Sequence, residues 1–299
     1  HESIRRDIRD IRVKDLTSFE AVIHLAALSN DPLGNLNPEC TFEINHRASV
    51  QLATMAQEAG VKRFLYASSC SIYGTSSPDD LLTEEAPFRP VTVYGESKVR
   101  VEAEVSALAQ EHFSPVFLRN ATAYGASPRL RTDLVVNNLV GWAVLTGKIR
   151  LQSDGTPWRP LVHVEDIGRA FLCALQAPRE AIHNQAINIG KAGENYQIKD
   201  IAEIIREELP SSVIEYAEGA GGDPRCYRVD FSKAERLFPD YEPKWTVRKG
   251  VRELIGQYEA YGLTMENFNG PRHMRIKKIL SLLQSGQLDQ NLRWTQRGR

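Results

Sequence analysis

The feature that most constrains this chain is an alternation, in its first 120 residues, of short apolar runs with longer amphipathic stretches. Ala21–Ala27 is a compact apolar run containing β-branched residues, and it reads as a strand. From about Glu43 to Gly60 the apolar positions Val50, Leu52, Ala53, Met55 and Ala56 fall on one helical face, with Gly60 placed to cap the end. Val61–Ala67 reads as the next strand, Tyr94–Gln110 as the next helix, and Pro115–Leu118 as a third strand. A βαβαβ order folds as a parallel sheet covered by helices, with ligand sites at the carboxyl ends of the strands. The expected class is α/β, a doubly wound parallel sheet.

Each of those strands runs into small polar residues: Ala27-Leu-Ser-Asn-Asp31, Ser68-Ser-Cys-Ser71 and Arg119-Asn-Ala-Thr122. One such loop is ordinary chain punctuation. Three in register predict a shared crevice. Beyond residue 125 the reading is a helix near 132–146, a strand at 149–151, a helix at 164–175 and a short strand at 187–189. A helix at 198–209, a strand at 213–217 and helices at 232–238 and 247–261 follow. This predicts a dinucleotide-type domain over 1–125, a smaller α/β lobe over 126–270, and an extension over 271–299. Segments near 149–175 are expected to return to the first domain.

Composition narrows the function classes. With 42% hydrophobic residues the chain can bury a real core, and a net charge of −1 gives no footprint for nucleic acid. No apolar run approaches the roughly 18 residues that span a bilayer, so a cytoplasmic protein without membrane attachment is expected. Four cysteines without a CxxC pair indicate neither a disulfide framework nor a metal site.

The sharpest chemical signal is Tyr94-Gly-Glu-Ser-Lys98 at a helix start. Positions i and i+4 share a face, so the phenol and the ammonium can address one site, and the lysine is expected to pull the phenol pKa down. A tyrosine so tuned serves as an acid or base. The spacing alone is weak, since ten tyrosines make about half a chance match. A hydroxyl-rich strand end upstream, Ser68-Ser69-Cys70-Ser71 before Ile72-Tyr73-Gly74, adds a second partner for the same substrate oxygen.

Taken in order, His24–Ala27, Asn45, Phe64–Gly74, Tyr94–Lys98, Leu118–Gly125 and Arg159–Ile167 resemble the extended short-chain dehydrogenase/reductase superfamily. The resembling branch is the NAD-dependent nucleotide-sugar epimerases and dehydratases of the UDP-glucose 4-epimerase type, over about Asp7 to Ile255. The resemblance implies a Rossmann-type sheet with a smaller substrate-binding lobe. It implies that Tyr94 is the acid/base, that Ser69 acts beside it, and that Lys98 holds the nicotinamide ribose. For the cofactor it implies Asp7 and Ile8 at the adenine, Leu25, Ala26 and Ala27 along the dinucleotide, Asn45 as a brace, and Ala67 and Ser68. For the nucleotide sugar it implies Ser29, Cys70, Ser71, Thr122 and Asn137, with Arg159 on the diphosphate and Asp223 and Arg225 near the ribose and phosphate. The implied activity is epimerisation, at C4, with tightly held NAD, in a homodimer joined through the helices near 43–60 and 94–110. An NADPH-dependent keto-sugar reductase, an unusual dehydratase and a non-catalytic binding protein of the same fold are the alternatives.

The chain departs from that pattern in three places. No GxxGxxG turn occurs in its 299 residues, so a leader of about 60 residues is expected ahead of His1, and NADP in place of NAD stays open. Where relatives carry a substrate-contacting asparagine before Tyr124-Gly125, this chain has Thr122-Ala123, with asparagine at Asn120. The acidic pair of dehydrating relatives is replaced by Cys70 and Ser71, which disfavours 4,6-dehydration. His24 and His163 read as packed core histidines. Arg129 and Arg131 read slightly more as surface charge than as anion contacts, and Asn138 is weighed beside Asn137. The basic tail carries an amphipathic stretch at 276–283, expected to pack over the body or act as a lid before it binds a partner.

Overall fold

The computed structural model describes residues 4–29, 31–77, 79–221, 223 and 225–295. Its strands in chain order are β1 (Ala21–His24), β2 (Arg63–Ser69), β3 (Leu81–Leu82), β4 (Ser114–Asn120), β5 (Thr122–Tyr124) and β6 (Lys148–Ser153). They continue as β7 (Trp158–His163), β8 (Gln185–Ile189), β9 (Asn195–Gln197), β10 (Val213–Gly221) and β11 (Arg228–Val229).

The main sheet has the order β1-β2-β4-β8 and is parallel throughout. Strand β2 shows why it is covered on both faces. Successive side chains of a strand point to opposite sides, and here Phe64 and Tyr66 enter one core while Leu65 enters another. The first core is closed by the Ala48–Glu58 and Val93–Ser106 helices through Leu52, Ala53, Val101 and Val105. The second is closed by the Val164–Gln176 helix through Ala170, Phe171 and Ala174. Fully burying one side chain such as Phe64 contributes about 2–3 kcal/mol, so this layering is the main source of stability here.

The second lobe has its own core around Tyr124, Val140, Ile149, Ile201 and Leu254. Strand β6 pairs with β10, and β5 pairs with β7, which also pairs with β9. The segment that joins the main sheet runs over 164–189 as helix and β8, while β6 stays with the smaller lobe and β7 bridges, with Leu161 in the lobe's core and Val162 against the turn after β2. Strand β6 is drawn there because Ile149 and Leu151 are buried in the lobe's core.

The predicted helix at 43–60 begins earlier and is not continuous. Asn37 caps a short helix over Pro38–Phe42, a π-helical turn occupies Glu43–Arg47, and the α-helix proper is Ala48–Glu58. Gly60 follows at φ 82, the left-handed residue that ends it. Among the described residues no helix is long and apolar enough to cross a membrane.

Candidate active site

The parallel ladder aligns Ser69 with Asn120 and Asn120 with Ile189, so three strand ends finish at one level. Beside them, Thr92 caps the Val93–Ser106 helix by accepting the Gly95 N–H at 3.1 Å. A Cβ on Gly95 would meet Ser71 O and Pro90 Cβ at 3.1 Å, so the helix start is pressed against the turn that follows β2. From that start, Tyr94, Lys98 and Glu102 recur every fourth residue along one face.

Each member of that stripe meets a group of β2. Ser69 lies close enough to the Tyr94 phenol to lower its pKa. Lys98 Nζ donates to Ala67 O at 2.7 Å, and Ser68 Oγ donates to Glu102 Oε1 at 2.5 Å. Glu102 in turn takes a multiply bonded ion pair from Arg119 of β4, with Nη2 to Oε2 at 2.7 Å, and both side chains are buried. Glu102 outweighs the effect of burial and keeps the Arg119 guanidinium firmly charged. Arg119 also reaches Tyr73 Oη at 3.0 Å, and Tyr73 donates to Asn188 Oδ1 at 2.7 Å. The helix face is thus fixed against the sheet by one polar network.

The electrostatics differ from the expectation for Tyr94. Burial raises its pKa above the ordinary phenol range, opposed first by Ser69 and then by the Arg131 charge. Lys98 does not lead that balance, because its ammonium lies 5.6 Å from the centre of the tyrosine ring and donates to Ala67 O. Burial pulls Lys98 itself down to about 7, against the opposing Glu102 charge. His24, buried against Ser49 Oγ at 2.8 Å, is pulled down to about 3, chiefly by burial.

Two of the Tyr-Gly pairs, Tyr73-Gly74 and Tyr124-Gly125, have a steric reason. A Cβ on Gly74 (φ 63) would lie 1.7 Å from Arg89 O, and one on Gly125 (φ 107) would lie 2.1 Å from His163 Nε2. His163 is buried, bonds Glu253 at 2.9 Å and stacks on Trp245 at 3.8 Å.

Several of the sequence-derived site residues are brought together. Asn45, in the π-helical turn, accepts the Leu28 N–H at 2.8 Å and donates to Leu28 O at 3.1 Å, holding the loop after β1. Leu25, 63% exposed, and the exposed Ala26 border that loop, with Ala27 half-buried. Arg159 Nη2 reaches Asp223 at 2.7 Å, and Arg225 pairs with Asp223 at 2.6 Å and with Asp31 at 2.5 Å. Thr122 is half-buried at the start of β5.

Other residues are held within the fold. Asn137 is buried, and its amide bonds Gly125 N, Gly125 O and Arg131 O, so it braces the loop and has no hydrogen left for a ligand. Asn138 Nδ2 likewise donates to Thr132 O at 2.8 Å. Cys70 is buried with its thiol on Arg119 O at 3.1 Å, and burial pushes that thiol up, so it faces the core and not the crevice. Ser68 is taken by Glu102. Asp7 is gripped by Arg9, with Nη2 to Oδ2 at 2.7 Å, which holds its carboxyl below the usual range; Ile8 packs into the core. That pair lies beside Cys40 and Arg293.

Three participants are not marked by any sequence motif. Asp31 closes the Arg225 pair across 194 residues. Arg275, from the tail, donates to Ser29 Oγ at 3.0 Å, and Arg131 approaches the same hydroxyl at 3.3 Å. The one signal that points to them is the polar loop Ala27–Asp31, where all three meet.

A tyrosine, a serine and a lysine thus stand together at the carboxyl end of a parallel sheet covered by helices on both faces. The model of the NAD dependent epimerase/dehydratase family matches residues 3–190. The chain belongs to that family. It is 26% identical to a UDP-glucuronate 4-epimerase of Thermodesulfobacterium geofontis over 245 residues, 80% of this chain and 72% of that protein. It is 26% identical to a UDP-glucose 4-epimerase of Bacillus subtilis over 270 residues, 84% of this chain and 77% of that protein. The solved UDP-glucuronic acid 4-epimerase from Bacillus cereus, in complex with UDP-glucuronic acid and NAD, superposes with a TM-score of 0.75 at 25% identity, covering 86% of this chain and 81% of the other.

The residues present fit the nicotinamide end of NAD. Two buried polar atoms at the strand ends, Ser71 Oγ and Asn120 Oδ1, have no hydrogen-bond partner among the described residues. Such atoms call for a ligand or water. Lys98 spends one hydrogen on Ala67 O and has two more for a ribose diol.

Proposed function

We propose that this protein is an NAD-dependent epimerase of a nucleotide-linked sugar, inverting C4 by way of a transient keto-sugar. The observation that carries this is the meeting of Ser69, Tyr94 and Lys98 at the end of β2, with Ser69 acting on the phenol and Lys98 held on Ala67 O, supported by family membership and by the epimerases it resembles. NAD, when bound, supplies reversible hydride acceptance. The protein supplies the proton chemistry and the orientation.

In this reading the Tyr94 phenolate takes the proton from the sugar's C4 hydroxyl and returns one to the C4 oxygen later. Ser69 donates to the same oxygen and fixes its position. Burial disfavours the phenolate in the unliganded protein. The base is therefore readied when further positive charge joins that of Arg131, which already acts on the phenol. Arg159 and Arg225, with Asp223, face the nucleotide end of the substrate.

The test is turnover of UDP-glucose and UDP-glucuronate followed by proton NMR, with the released cofactor identified after acid treatment. Tyr94→Phe should lower turnover by about 100-fold or more, while calorimetry shows sugar-nucleotide binding retained. Full activity in that variant would remove Tyr94 from its role. A protein that releases no NAD and consumes NADPH would be a keto-sugar reductase instead.

A homodimer through the Ala48–Glu58 and Val93–Ser106 helices belongs to the same proposal, on the strength of the resemblance. The outer surface there carries Glu43, Arg47, Glu96 and Arg100, so the dimer should loosen in high salt. Sedimentation at two ionic strengths reads that directly.

A further inference from the structure

Ser29, in the loop after β1, is approached by two guanidiniums, Arg275 Nη1 at 3.0 Å and Arg131 Nη1 at 3.3 Å. Arg131 is also forked onto Asp133 at 2.8 Å, and its charge reaches the Tyr94 phenol. Arg275 opens the Arg275–Gln284 helix of the C-terminal extension, so a residue 246 positions away joins the loop beside the acid/base.

On the other side of Arg275 lies a cavity of about 880 Å³. Its lining includes Arg129, Arg272, Arg275, Lys278, His273 and Tyr261. Among the described lining residues none is acidic. His273 Nε2 is enclosed there without a partner among the described residues, and Arg272 sits 5.4 Å from the centre of the Tyr261 ring. Burial, and then the Arg131 charge, lowers the Arg275 pKa, as expected where positive charge is crowded.

Crowded arginines around a ligand-sized cavity are built for an oxyanion, which a guanidinium engages with two parallel hydrogen bonds. We propose that Arg129, Arg272, Arg275 and Lys278, on the walls of this cavity, form an oxyanion subsite, completed by the C-terminal helix, that takes an anionic group of the substrate. The group is a phosphate of the nucleotide or a carboxylate on the sugar. This rests on the nucleotide-sugar reading above. It adds that the extension is part of the substrate site and that Arg275 sets which anionic substrates are held.

The experiment is titration calorimetry of UDP, UDP-glucose and UDP-glucuronate into the wild-type protein and Arg275→Ala. Loss of at least tenfold in affinity for all three ligands is expected if the group is phosphate. Loss confined to UDP-glucuronate is expected if it is a carboxylate. Either result supports the subsite. Affinities within twofold of wild type for all three overturn it and leave the nucleotide-sugar reading standing. If the wild type binds none of the three, that reading falls and the subsite falls with it. Should Arg275→Ala fail to fold, Arg275→Lys keeps the charge without the fork. At least a threefold loss is then expected, and unchanged binding again overturns the proposal.

Discussion

Two arginine clusters border the crevice, and they handle charge in opposite ways. In one, Arg159 and Arg225 are matched by Asp223 and Asp31, two cations against two anions. In the other, Arg129, Arg131 and Arg275 gather near a single carboxylate, Asp133. The first cluster is neutral before any substrate arrives, so it can hold the lobes in position and release an arginine only by exchanging one anion for another. The second holds uncompensated positive charge, which costs stability in the empty protein and strengthens the attraction for an anion. The Arg119–Glu102 pair below them is the limiting closed case, buried on both sides.

That contrast orders a set of substitutions by effect. Glu102→Ala should be the most damaging, because it strands the Arg119 charge in the core; a loss of about 3–5 kcal/mol in urea unfolding is expected. A loss under about 1 kcal/mol would show that Arg119 finds another partner, and the closed cluster would no longer be the tight one. His24 makes the complementary test, adding a cation where no acid waits. Its pKa is about 3 in the folded protein against an ordinary histidine value of 6.5, so the unfolded chain takes a proton that the folded chain refuses. Stability should therefore fall as pH drops from about 6.5 towards 3, by about 2 kcal/mol at pH 5. Melting curves of wild type and His24→Gln should converge in their pH slope only above that window, and parallel slopes throughout would contradict it.

Smaller effects should separate the two crevice clusters. Asp223→Ala removes the shared anion of Arg159 and Arg225 at a partly exposed position, with an expected loss of about 1–2 kcal/mol in the same unfolding assay. Arg275→Ala should move stability by less than about 0.5 kcal/mol, in either direction, since it relieves repulsion while losing one hydrogen bond. If the second loss matched the first, the supposed open cluster would in fact be structural.

The same contrast explains what can be read from the sequence. Strands β2 and β4 are legible because their apolar residues are consecutive and buried, as in Phe64-Leu65-Tyr66, while β1 shows the apolar run with Ile23 exposed. The end of β4 is not: Asn120 is polar, and it stays in the strand because it pairs with Ser69 and Ile189. Strands β5 and β9 have three residues each, so pairing with β7 rather than intrinsic preference sustains them. In the site, Ser69, Tyr94 and Lys98 are legible because they lie within 30 residues and on predictable elements. Arg225 with Asp31, and Arg275 with Ser29, are separated by 194 and 246 residues. No local pattern marks such pairs, and the geometry of the whole fold decides them. The Tyr94 environment departs from its expectation for a related reason, since helix spacing puts Lys98 on the right face but does not say that Ala67 O will claim its hydrogen.

The C-terminal arm has a consequence in time. Arg9 donates to Asn291 O at 2.8 Å across 282 residues, and Arg293 pairs with Asp10. During synthesis from the N-terminus, the parallel sheet and both of its helical layers can assemble before this arm emerges. The arm must then close loops such as the 282 residues between Arg9 and Asn291, which makes it a late step in folding. A nascent chain that has not yet reached residue 275 can already hold Tyr94 in place, and its crevice gains the Arg275 guanidinium only when translation passes that point.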